Sequence, residues 1–199
     1  MKKNLKYFEN ELSKLNKEFA EYKKKHIGIP EVGKVIELAG MEWLILDKTE
    51  KGYFAILNEF DGKARTFDSD SNNWVSSKLR NELNIDFLKR ITDNFGEDAV
   101  VEFDRNLLSL DGQTEYGHCK DKISLLTVDE YRKYRRLLPN MQKWWWLVTP
   151  WSTPCNDYSR TLAVVSSSGG ICSDNYGFGG GVRPVCIFSS SIFESDEDK

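Results

Sequence analysis

The chain has 199 residues, 40% hydrophobic and 30% charged, enough apolar material for one ordinary core and too much for a disordered or collagen-like chain. No apolar run reaches the roughly 20 residues that span a bilayer, and the N-terminal MKKNLKYFENEL turns charged before a signal-peptide core could form, so the expected location is the cytoplasm. Residues 1–25 hold eight lysines and four glutamates, net +4; the whole chain is −3, so the remainder is −7. An acidic body repels phosphate backbones, which excludes nonspecific nucleic-acid binding as an expectation and points to a protein partner, a basic one by charge.

In the first segment, over 1–27, Leu5, Phe8, Leu12, Leu15, Phe19 and Tyr22 recur at spacings of 3, 4, 3, 4, 3, the a/d stripe of an amphipathic helix. Lys14/Glu18, Lys17/Glu21 and Glu21/Lys25, each four apart, support it from the other faces. A helix this short is marginal alone in water, so the stripe needs a surface: the chain's own body, a second copy in a homodimer, or a partner's groove.

His26-Ile27-Gly28-Ile29-Pro30 breaks the helix and leads into a body expected over 33–193. Val35 to Leu38, Trp43 to Leu46 and Tyr53 to Leu57, parted by Ala39-Gly40 and Glu50-Lys51-Gly52, predict an antiparallel meander. Asn72-Asn73 offers caps for a helix with Trp74, Leu79 and Leu83 that bends at Asn84 and continues through Phe87, Leu88 and Ile91. Residues 94–120 read as loop. Ile123 to Leu126 predicts a short buried strand, and Thr127-x-x-Glu130 is a capping box opening a helix near Val128 that Pro139 stops. Trp144 to Val148, Thr161 to Val165 and Val182 to Phe188 predict strands between loops rich in Ser, Gly, Asn and Pro, and the acidic tail 194–199 closes the chain. The expected class is α+β, mostly antiparallel.

Five blocks occur in order: Trp43-Leu44-Ile45-Leu46; Trp74-x-x-Ser77-x-Leu79-Arg80-x-x-Leu83-Asn84; Asp121-Lys122-Ile123-Ser124-Leu125-Leu126-x-x-x-Glu130; Trp145-Trp146-Leu147-x-Thr149-Pro150; and Gly181-Val182-Arg183-Pro184. Together they resemble a domain of unknown function common in gut bacteria and their phages, over roughly residues 33–193. Many members of that family carry Arg where this chain has Val148. The closing pattern of aromatic strand, Gly-turn hairpin, Asn/Tyr-rich loop and G-V-R-P is also similar to the C-type-lectin-like fold of phage receptor-binding proteins and formylglycine-generating enzymes. That resemblance implies a rigid frame displaying one irregular loop region, and binding through it.

Alternation along a strand turns Trp145 away from Trp144 and Trp146, so the three cannot form one stacking platform and core packing is expected of them. Trp151, in a loop with Asp157 and Tyr158, is the candidate interface anchor. Asp174, Asn175, Tyr176 and Phe178 lie in a loop of paratope-like composition. Its glycines are not a phosphate loop, because a strand and not a helix follows them. His118, Cys119, Cys155 and Cys172 could assemble a structural zinc shell, although no CxxC pair occurs and scattered reduced thiols are the default; Cys186 alternates as core. No HExxH, GxSxG or Gly-Lys-Ser/Thr signature occurs, so the expectation is a binding protein with no catalytic role and no required cofactor.

The resemblance to a phage and prophage family, with the acidic body, implies an anti-defence inhibitor. Its sharpest form is anti-CRISPR-like: binding a Cas effector such as Cas9 in the bacterial host and blocking nucleic-acid engagement at a basic channel. The alternative is a lectin-like or receptor-binding module that recognises glycan or surface protein.

Overall fold

The computed structural model describes residues 5–26, 28–156 and 159–193; of the expectations above, Asp157, Tyr158 and the acidic tail lie outside them. In chain order the regular elements are α1 (Leu5–His26), β1 (Val35–Leu38), β2 (Met41–Thr49), β3 (Gly52–Leu57), α2 (Lys78–Glu82), α3 (Leu88–Phe95), β4 (Val100–Val101), β5 (Phe103–Asn106), β6 (His118–Asp121), β7 (Ile123–Ser124), α4 (Val128–Tyr134), β8 (Trp145–Pro150), β9 (Thr161–Val165), β10 (Ile171–Asn175) and β11 (Val185–Phe188). The fold is mixed α+β, and every strand ladder is antiparallel.

The main sheet runs β1-β2-β3-β11, and the far side of β11 is divided between β7 at Val185 and Cys186 and β4 at Ile187 and Phe188. The β1-β2 hairpin closes at Ala39 (φ 53°) and Gly40 (φ 69°), the two consecutive positive φ angles that match a two-residue turn to the twist of its strands. Strand β3 is buried along its whole length, which explains its unbroken run of apolar residues.

Both faces of this sheet are covered, giving two cores. Trp43, Ile45, Ala55, Leu57, Cys186 and Phe188 face one, where Leu79, Leu83, Phe87 and Ile91 of the α2-α3 arm cover them. Leu44, Leu46, Phe54, Ile56, Val185 and Ile187 face the other, under Val128, Tyr131 and Tyr134 of α4. The second sheet, β8-β9-β10, divides in the same way, with Trp146, Val148, Leu162 and Val164 in the first core and Trp145, Leu147, Ala163 and Val165 in the second. The two-residue period of the strand places Trp145 and Trp146 as expected.

The helical arm departs from the expectation of one bent helix. Asn73 caps a short 3-10 turn over Trp74–Ser76, its side chain accepting from the Val75 N–H. Ser77 then caps α2, and a π-helical turn over Leu83–Phe87 joins α2 to α3. At that turn the Asn84 side chain ties the arm to the start of β7: Oδ1 accepts from the Lys122 and Ile123 N–H groups, and Nδ2 donates to the Ile123 and Arg80 carbonyls. The capping box forms as expected, with Thr127 and Glu130 each satisfying the other's backbone N–H. Residues 94–120, expected as loop, instead contain β4, which pairs with the distant β11, and most of the β5-β6 hairpin, whose strands are parted by a long connection that a short-turn pattern does not register.

Helix α1 forms over 22 residues. Its stripe does not dock on the body where it is described: Leu5 is 75% exposed, Phe8 58%, Leu12 62% and Leu15 62%. No helix among the described residues is long and apolar enough to cross a membrane.

Candidate functional site

A cleft of about 820 Å³ lies beside the start of β8. Trp144, the residue before β8, is half-buried there, its ring edge-on to Trp146 at a centroid distance of 4.9 Å. Trp146 is pinned by its indole N–H, which donates to the Arg65 carbonyl at 2.9 Å. The indole of Trp144 thus rests on a fixed neighbour. Core packing was expected of all three tryptophans; Trp145 and Trp146 are buried, and Trp144, one residue before β8, is half-buried and packs against the edge of the first core.

The opposite wall is backbone. Arg65 and Gly180 exchange hydrogen bonds, and the Gly181 carbonyl accepts from Trp146 N–H. These bonds draw the Gly179–Gly181 segment against the rings. A Cβ at Gly180 would lie 2.3 Å from Trp144 Cζ3, and one at Gly181 would lie 2.5 Å from Phe60 Cε1. The glycines are therefore required by contact and not by backbone torsion, since neither has a positive φ. Close approach of backbone to ring is the reason the G-G-G run stands in a strand-flanked segment.

The rest of the lining is mostly polar: Lys63 and Lys143 are exposed, with Gln142, Ser166 and Ser167 beside them, and among the described residues no carboxylate lines the cleft. Two ammonium groups, with no carboxylate among the described lining residues, give the cleft a positive lining on an acidic protein. The sequence contained this signal only as a lysine beside Trp144; Lys63 and Ser166 are brought to it by chain segments about 80 and 20 residues away.

Of the expected partner-binding residues, Trp151, Asp174, Asn175 and Tyr176 meet at one end of the β8-β9-β10 sheet, where Trp151 and Asn175 lie on either side of Thr161. Trp151 is half-buried and its N–H donates to the Thr161 carbonyl. It follows β8, whereas Trp144 precedes it, so the two lie at opposite ends of a six-residue strand about 20 Å long. Asp174 and Asn175, expected in a loop, end β10 and pair with Leu162 and Thr161 of β9. Asn175 Oδ1 accepts from Gly177 N–H and Asp174 Oδ1 from Asn175 N–H, so both side chains serve the turn. Tyr176 packs on the first core, and its carbonyl accepts from Phe67 N–H. Phe178 is the exposed member, at 61%, and directly precedes the glycine wall.

The Trp151 loop is tied to its surroundings by two polar residues. Asp111 accepts from Ser109, from Ser152 Oγ at 2.7 Å and from Asn156 Nδ2 at 3.0 Å, and these bonds hold its carboxyl down at about 2. Asn72, expected as a cap, is buried instead and donates to the Ser152 and Thr161 carbonyls, both at 2.9 Å, while Tyr116 Oη donates to its Oδ1.

The four candidate zinc ligands stand on three different segments: His118 and Cys119 in β6, Cys155 in a 3-10 turn and Cys172 in β10. Among the described residues no three His, Cys, Asp or Glu side chains converge as a metal shell would require. Burial, with Asp121 nearby, pushes the Cys119 thiol up to about 11. The Glu115 carboxylate beside Cys155 raises that thiol as well. Both are thiols at neutral pH, the form that must lose its proton before it can bind zinc.

Two buried arginines, invisible as such in the sequence, hold the frame. Arg105 donates to both Glu130 carboxylate oxygens, at 2.7 and 2.6 Å, and to the Leu125 carbonyl. Arg183 of the G-V-R-P block donates to the Leu57 and Asn58 carbonyls and lies over the Trp145 ring at 5.2 Å. Burial lowers its guanidinium to about 10, so it stays charged and acts as a cross-tie between β3 and the segment before β11. No protein-family profile, no curated protein and no solved structure matches the chain.

Proposed function

We propose that this protein is a non-catalytic binding protein, built on a C-type-lectin-like frame, that seats an anionic segment of a partner in the Trp144 cleft. The observation that carries this reading is the cleft's make-up: a braced indole, a glycine backbone wall and two lysines with no carboxylate among them. Aromatic faces supply apolar contact, and the ammonium groups select negative charge. Phe178, exposed at the rim, enlarges the contact surface. In the phage or prophage setting that the sequence resemblance implies, the partner is a host defence protein, with a Cas effector such as Cas9 as the sharpest form.

A second reading, a lectin-like module, draws support from Gln142, Ser166 and Ser167, whose amide and hydroxyl groups suit the hydroxyls of a carboxylated sugar. Pull-down from a bacterial lysate with intact defence systems, run beside a glycan array, separates the two. Trp144→Ala is expected to weaken capture by about 2 kcal/mol or more, the range of a hot-spot aromatic. Lys63→Glu with Lys143→Glu, both exposed and so harmless to folding, is expected to abolish it. Unchanged binding by both variants, with loss on Trp151→Ala, would move the site to the other end of β8.

A further inference from the structure

We propose that α1 is the dimerisation element of this protein, pairing in parallel with α1 of a second copy as a short two-stranded coiled coil. This rests on α1 alone and is independent of the cleft. Leu5, Phe8, Leu12 and Leu15, four successive members of the stripe, stand 58–75% exposed on the helix, uncovered by the body. Monomeric proteins rarely leave a contiguous apolar stripe in water, and a helix in a protein takes most of its stability from packing its apolar face.

Three features identify the occupant as a second copy. The spacing is a heptad register, with Leu5, Leu12 and Phe19 at a and Phe8, Leu15 and Tyr22 at d, and its period of 3.5 is the one that keeps a seam facing an identical helix. The flanks are self-complementary: Glu18 takes a g position and Lys23 the e position five residues on, so a parallel pair sets Glu18 of each helix opposite Lys23 of the other. Antiparallel pairing would instead set the g residues Glu11 and Glu18 against each other. The area also suffices, since six aromatic stripe residues across two helices, at roughly 150–250 Å² each, bury on the order of 1,000 Å², the size at which a specific interface becomes stable. With three heptads the association is weak and depends on concentration.

The test is sedimentation velocity of the full chain over a concentration series, with circular dichroism as a folding control. Twice the monomer mass at about 100 μM, reverting to monomer in the Leu12→Glu/Leu15→Glu variant with the body's thermal transition unchanged, is the expected result. A monomeric wild type at that concentration, or a dimer that persists in the variant, overturns the proposal. Orientation is read by mild oxidation of the Leu5→Cys variant in a Cys155→Ser/Cys172→Ser background. Parallel helices place the two substituted positions side by side and cross-link in high yield, whereas antiparallel helices hold them at opposite ends. A dimer that does not cross-link overturns the parallel arrangement.

Discussion

Arg105 is almost wholly buried, and its side chain is partnered by Glu130, which is about a quarter exposed. Removing one member of such a pair leaves a desolvated charge, and that penalty exceeds what the pair contributes by forming. Glu130 also accepts from the Thr127 N–H at 2.8 Å, so the same carboxylate starts α4. Glu130→Ala is therefore expected to destabilise the protein by about 3 kcal/mol, read as a lower urea midpoint at unchanged m-value. A loss below about 1 kcal/mol would mean that water reaches Arg105 and the capping box alone is felt. The sequence exposes the cap, because its partners are three residues apart; it hides the ion pair, whose partners are 25 apart in elements with no shared period.

Among the elements, the loop that follows β8 is held by Asp111, whose carboxyl is lowered to about 2 by Ser109, Ser152 and Asn156. A folded-state value below the unfolded one stabilises above the unfolded value and loses that contribution as pH falls through the folded value. The loop is thus expected to stay in place near neutral pH and to loosen as pH falls from about 4 to about 2. Trp151 fluorescence in an Asp111→Asn variant checks this: the substitution at pH 7 should reproduce the acid change of wild type. The Trp151 region reads as an interface loop in the sequence because it is polar, aromatic and punctuated by prolines. The same composition here forms a tied connection, since Asn72, about 80 residues earlier, bonds both of its ends.

At the scale of the whole molecule, the body and α1 are separable, because the described stripe residues of α1 rest on nothing in the body. Deleting residues 1–25 is expected to leave the body's unfolding free energy within about 0.5 kcal/mol, the range of surface changes. A loss of several kcal/mol would show that the stripe docks on the body in solution. The charge division runs along the same line: residues 1–25 carry net +4 and the rest of the chain −7.

The sequence by itself determined what depends on neighbours within a turn or a strand. These are the α1 stripe, the β1-β2-β3 meander, the Thr127/Glu130 cap and the opposite facing of Trp145 and Trp146, all of which follow from periods of 3.6 and 2 and from capping chemistry. Only the tertiary structure shows which of two half-buried tryptophans lines a cleft. The sequence pattern puts Trp144 in a strand and Trp151 in a loop, whereas in the structure both flank the same strand. One meets the glycine wall and Lys63 in a cleft, and the other is tied to β9. That difference comes from Phe60 to Arg65 and Gly179 to Gly181 crossing beside the start of β8, contacts between segments more than 100 residues apart that no local pattern encodes.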